Sequence, residues 1–305
     1  MSSTGELSDL APELVPTEYP AKKLIVPEPV VISATDGMKI HGQLFVPASA
    51  KDGKRHAALV FFHGGSRREM LLGYHYMDYY SNAYAMNQYL ASLGYIVLSV
   101  NCRSGIGYGL NFREAINYGA SGASEYNDVM GAGLYLRNRT EVDRARIGSW
   151  GGSYGGYLTA LALSRSSDLF AAGVDFHGVH DWSARMRRAP GNDPGVEPTP
   201  TDEGALKVAF ESSPMAAVKT WRSPVLLIQG DDDRNVAFSQ TVRLAAALRD
   251  QHVEFEEHVF PDEIHGFLMH RSWITAYALT ADFFGRHFGM PSGEQAGIVH
   301  QKAAE

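Results

Sequence analysis

Apolar and polar positions along this chain follow two alternating rhythms. Residues 38–46, MKIHGQLFV, alternate apolar with polar side chains, which predicts an outer strand with one buried face. Residues 57–62 (AALVFF), 95–100 (YIVLSV), 171–176 (AAGVDF) and 224–230 (PVLLIQG) are short unbroken apolar runs, as expected of parallel strands covered on both faces. Residues 145–150 (ARIGSW) and 253–260 (VEFEEHVF) add two strand-like segments. Between them apolar residues recur at helical spacing: over 82–94, with Ser81 as the predicted N-cap and Gly94 as the stop, then over 124–139, 157–166, 239–250 and 273–288. Strand alternating with helix predicts an α/β fold, a mostly parallel sheet with right-handed crossovers and helices on both faces.

The ends break this rhythm. Prolines at 12, 16, 20, 27 and 29 keep the first stretch extended, so residues 1–27 read as a linker or strap, 28–290 as one domain and 291–305 as a polar tail. With 305 residues, 45% of them hydrophobic, the chain can bury one large core. A net charge of -7 offers no field for a phosphate backbone, and the clusters Arg67-Arg68 and Arg185 to Arg188 are too short to change that, so nucleic acid is not an expected partner. The N-terminus lacks a basic start followed by an apolar run, and no later stretch approaches membrane-spanning length; a soluble, cytoplasmic protein is expected. The single cysteine, Cys102, excludes an internal disulfide and reads as a small buried hydrophobe.

Chemistry enters at GGSYG, Gly151 to Gly155, a G-x-S-x-G pattern between a strand and a helix. A sharp turn there strains the serine backbone, and side chains two residues away on either side would strike the neighbouring strand and helix. Glycine removes both collisions and leaves the Ser153 hydroxyl exposed at a helix start. A serine hydroxyl needs a base, and the base needs an orienting acid. DDDRN (231–235) and PDEIHGF (261–267) each follow a later strand, so His265 is the expected base, with Asp231, Asp232 and Asp233 equally available as the acid. Three adjacent aspartates lack the alternating ligands of a calcium loop, and neither metal nor cofactor is called for. FFHGGS (61–66) resembles the H-G-G turn of esterases; Gly65 N–H and Tyr154 N–H are the expected oxyanion donors, and His63 is expected to be structural.

Taken together, GSWGGSYGGY, LLIQGDDDRNV, PDEIHGF, FFHGG and NCRSGIGYG resemble the catalytic α/β-hydrolase domain of the prolyl oligopeptidase family of serine peptidases, nearest its acylaminoacyl-peptidase-like members. The resemblance implies that the acid stands two residues before an arginine or asparagine that binds the substrate's backbone carbonyl, which selects Asp233 as acid and Asn235 as substrate contact. It also implies a β-propeller ahead of the hydrolase; the proline-rich first residues suggest either the run-out of a propeller blade or a short form of the enzyme. The implied function is cleavage of amide or ester bonds of small acylated peptides or amino acids through an acyl-enzyme. The alternatives are a carboxylesterase or lipase-like enzyme, and a binding module without chemistry. Tyrosines 74, 76, 79, 80, 84 and 89 read mainly as core and subunit contact, which allows a homo-oligomer, with a share lining a pocket. The long connection 177–205 offers Trp182 as a pocket wall.

Overall fold

A computed structural model describes residues 11–187 and 202–291. Eight strands form one sheet: β1 (Glu28–Ser33), β2 (Lys39–Phe45), β3 (His56–Phe62), β4 (Ile96–Asn101), β5 (Val142–Gly152), β6 (Ala172–Phe176), β7 (Val225–Gly230) and β8 (Phe255–Phe260), in spatial order β1-β2-β4-β3-β5-β6-β7-β8. The β1–β2 and β2–β4 pairings are antiparallel and all others parallel. The helices are α1 (Asp78–Ser92), α2 (Leu110–Arg113), α3 (Tyr126–Arg137), α4 (Tyr154–Arg165), α5 (Trp182–Arg187), α6 (Glu203–Glu211), α7 (Ser239–Asp250) and α8 (His270–Phe288).

Unbroken apolar runs are what a two-faced sheet requires, and β3 shows why. Ala58, Val60 and Phe62 enter the core shared with α3, α4 and α7, while Ala57, Leu59 and Phe61 enter the opposite core under α1 and α8. Cys102 is buried just past β4, and burial pushes its thiol pKa well up, so it packs as a hydrophobe. None of the described helices is long and apolar enough to cross a membrane.

Two sequence expectations need correction, and one stretch gains an element that was not expected. Ser81 is not the N-cap of α1: the helix begins at Asp78, and Ser81 lies in its first turn, its hydroxyl donating to the Asp78 carbonyl. Residues 28–33, read only as the start of the domain, form β1; Pro29 is tolerated there because β1 is an edge strand. The long connection 177–205 is not a bare loop, since α5 and the start of α6 interrupt it; its residues 188–201, like residues 1–10 and 292–305, lie outside the described residues.

Candidate active site

Ser153 follows the last residue of β5 and precedes α4, with φ of 60° and ψ of -117°. Its N–H donates to the Phe176 carbonyl at the end of β6, which locks the strained turn to the neighbouring strand. A Cβ on Gly151 would stand 2.5 Å from the Phe62 carbonyl oxygen and 2.8 Å from the Gly155 backbone, and one on Gly155 would land on that same oxygen. The glycines of the pattern are thus where β3, β5 and α4 touch backbone to backbone.

His265 sits on the loop after β8. Its Nδ1–H donates to Asp233 Oδ2 at 2.8 Å. The Asp233 carboxylate is buried; its Oδ1 accepts from the N–H groups of Asn235 and Val236, each at 2.9 Å, and its Oδ2 also accepts from Gln229 Nε2 at 3.1 Å. Among the three aspartates this one alone meets the imidazole: Asp231 accepts from the Asp262 N–H, and Asp232 points outward to Arg234. Buried Glu263 binds the N–H groups of Leu268 and Met269 and the Ser272 hydroxyl, which anchors the His265 loop to α8. Among the described residues no hydrogen bond joins Ser153 Oγ to the imidazole in this resting arrangement; such contacts commonly tighten only with substrate present.

The turn after β3 lies against the serine. A Cβ on Gly64 would be 3.4 Å from Ser153 Cβ, and Gly65 next to it is solvent-exposed. His63 is buried, its Nδ1–H donates to the Gly64 carbonyl at 2.7 Å, and burial depresses its pKa to about 4, so it is a neutral structural ring. On the other side, the Tyr154 N–H is the first of α4 and has no acceptor within the helix. The Tyr154 side chain is fixed by its hydroxyl, which donates to buried Glu125; both Glu125 oxygens also accept from the Gly119 N–H. Arg103 of the NCRSG stretch pairs with Asp36 at 2.5 Å and with fully buried Asp128 at 2.7 Å, bracing the start of α3, which Glu125 immediately precedes.

The two expected substrate contacts are placed differently. Asn235 is exposed beside Asp233, and its backbone carbonyl accepts from the Arg185 guanidinium of α5. Trp182 packs on Tyr154 and Tyr157, with ring centroids 5.9 Å and 5.3 Å away, so half of it belongs to the α4 packing. Of the six tyrosines, Tyr79 and Tyr80 face the site, Tyr74 and Tyr76 are exposed, and Tyr84 and Tyr89 pack against the α1–α8 core.

Residues 81–291 match the prolyl oligopeptidase family. The chain belongs to this family of serine peptidases. Within it, dipeptidyl aminopeptidase BIII of Pseudoxanthomonas mexicana is 29% identical over 287 residues, 88% of this chain and 39% of its own length. A puromycin-hydrolyzing peptidase of Mycobacterium tuberculosis superposes with a TM-score of 0.78 at 26% identity, over 93% of this chain and 43% of that one. An acylaminoacyl peptidase in complex with Z-Gly-Gly-Phe-chloromethyl ketone gives 0.72 at 28% identity, over 86% and 42%. The chain therefore spans at most about two fifths of the length of the curated relatives it matches.

One residue beside the site escaped the sequence reading. His177 follows β6, is buried, and has a left-handed φ of 41°. Its ring lies 4.3 Å from that of His265, tilted by 46°, and its Nε2 is 2.8 Å from the Tyr79 hydroxyl. Burial, with neighbouring His265 adding to it, holds its pKa well below the histidine range. The only sequence signal was its place, a histidine at the carboxyl end of a parallel strand, where ligands and chemistry collect in open α/β sheets.

Proposed function

We propose that this chain is a serine hydrolase that cleaves amide or ester bonds of small acylated peptides or amino acids by two-step acyl transfer. The observation that carries the reading is the Asp233–His265 hydrogen bond on the loops beside a strained Ser153. Ser153 Oγ attacks the carbonyl carbon as His265 Nε2 takes its proton, and the N–H groups of Gly65 and Tyr154 receive the oxyanion. Collapse of the tetrahedral adduct breaks the bond to the leaving amine or alcohol, which carries off the proton from His265 and leaves an ester on Ser153. Water, deprotonated by the same imidazole, then releases the acid. Asp233 keeps the proton of His265 on Nδ1 throughout. Asn235 binds a substrate backbone carbonyl and Trp182 forms one wall of the pocket.

Relatives named for dipeptidyl peptides, acylated amino acids and puromycin support short amide substrates. The test is turnover of short and long p-nitrophenyl esters, acyl-amino-acid anilides and blocked peptides by the wild type, Ser153→Ala and His265→Ala. Each variant should lose about 10⁴-fold or more in kcat. Undiminished turnover by folded Ser153→Ala refutes the mechanism, and ester turnover without anilide turnover would favour a carboxylesterase.

A further inference from the structure

We infer that His177 is a positioning residue for His265: Tyr79 fixes the His177 ring, and that ring is the platform that sets the plane of the His265 imidazole. The inference rests on the reading of His265 as the base for Ser153.

A single hydrogen bond fixes a point, not a plane. Asp233 holds His265 at Nδ1, which leaves the ring free to tilt about that contact and to swing Nε2 away from the serine. The His177 ring, its centroid 4.3 Å away and its plane inclined by 46°, opposes that tilt. Nitrogens of the two rings and a carboxylate oxygen of Asp233 all lie within 4.8 Å of one another, so the three groups form one cluster. His177 also borders the serine turn, since a Cβ on Gly152 would stand 3.2 Å from its Nε2.

The platform is itself held rigidly. The His177 N–H donates to the Ile228 carbonyl of β7 at 2.8 Å. The next residue, Gly178, donates to Asp175 Oδ1 at 2.9 Å, and Asp175 Oδ2 meets His180 Nε2 at 2.8 Å, so a buried carboxylate clamps the turn that carries the left-handed residue. Rotation of a ring about its last torsion is soft, with broad minima. The 2.8 Å bond from Nε2 to the Tyr79 hydroxyl restricts it, and Tyr79 is wedged edge-on against Trp273 at 5.2 Å. A phenylalanine at 177 would fill the same space without leaving Nδ1 buried and unpartnered. The imidazole offers in exchange an atom by which the ring can be locked.

The experiment compares His177→Phe, His177→Ala and Tyr79→Phe in the full chain on a p-nitrophenyl ester, with Ser153→Ala as the blank. Misplacement of a catalytic group by about 1 Å costs roughly 100-fold. His177→Ala should therefore lose about 100-fold in kcat, and the two phenylalanine variants about 10-fold, with KM within about twofold. The N–H proton resonance of the His265–Asp233 hydrogen bond should shift in all three. Tyr79→Phe keeps the packing and guards against loss of folding in His177→Ala. If both folded phenylalanine variants keep kcat within about twofold of wild type, the inference is overturned. It is also overturned if the loss lies wholly in KM, or equals the loss of sites titratable by a fluorophosphonate. Wild-type turnover by Ser153→Ala would overturn the underlying reading, and this inference with it.

Discussion

The substitution Gly151→Ala adds one methyl group where three backbones converge. Its Cβ would meet the Phe62 oxygen at 2.5 Å and the Gly155 carbonyl carbon and oxygen at 2.8 Å, and none of these is the movable end of a side chain. Phe62 is the register partner of Gly151 in the β3–β5 ladder. To reach an ordinary contact of 3.4 Å, the end of β3 must retreat by about 0.9 Å and the start of α4 by about 0.6 Å. Those two segments carry the N–H groups assigned to the oxyanion, so the movement opens the hole from both sides. Overpacking of this kind costs about 2 kcal/mol, or a drop in Tm of roughly 5 °C. Displacement of the donors by most of 1 Å should lower kcat/KM by about 100-fold. Calorimetry and ester kinetics on the same preparation, with active-site titration to count intact sites, measure both. If Gly151→Ala keeps its Tm and stays within about threefold in kcat/KM, the steric account of the glycines is wrong.

The three aspartates and the buried His63 give further tests. Asp233→Asn should lower kcat by about 10⁴-fold, whereas Asp231→Asn and Asp232→Asn should remain within about fivefold; a crippled Asp232→Asn beside an active Asp233→Asn would move the acid. Because burial depresses His63 to about 4, the unfolded chain binds a proton below pH 6.5 that the folded chain refuses. The stability from keeping that ring neutral is therefore complete above pH 6.5 and is lost as pH falls towards 4, by an amount on the order of 3 kcal/mol. Urea unfolding over this range should show the slope, and His63→Gln should reduce it, leaving the part that buried His177 contributes; an unchanged slope in the variant refutes the assignment.

What the sequence made legible was whatever local sterics or periodicity encode. The glycines around Ser153 announce a close backbone approach, and apolar runs such as AALVFF announce a strand buried on both faces. Which aspartate meets His265 was not legible from the residues, because Asp231, Asp232 and Asp233 are alike until folded; Asp233 turns inward because the Asn235 and Val236 N–H groups hold its Oδ1. The start of α1 was missed because Asp78 and Tyr79 add nothing to the apolar stripe that Tyr80 begins; the Tyr79 hydroxyl is held by the His177 ring beside the serine turn. Beyond its place at a strand end, His177 gave no signal, for a related reason. Its hydrogen-bond partner Tyr79 is 98 positions away in the chain, and nothing in VDFHGVHD points to it.

Two of the strained backbone positions of this fold stand on adjacent strand ends. Ser153 and His177 occupy left-handed backbone without being glycine, each directly after a parallel strand. His63 Nε2 and His177 Nδ1 are buried polar atoms with no partner among the described residues; the His63 carbonyl and the His177 ring both border the serine turn. Backbone strain costs about 1–3 kcal/mol per residue, and an unsatisfied buried group costs about as much. Such features persist only where the surroundings over-determine them. Here the surroundings are ladder bonds and carboxylate clamps: Ser153 to Phe176, His177 to Ile228, and Gly178 to Asp175. A loop without a sheet beneath it could not hold these residues in place. The parallel sheet thus does more than present loops at one edge, because Ser153 and His177 are each tied by their own N–H to the adjoining strand.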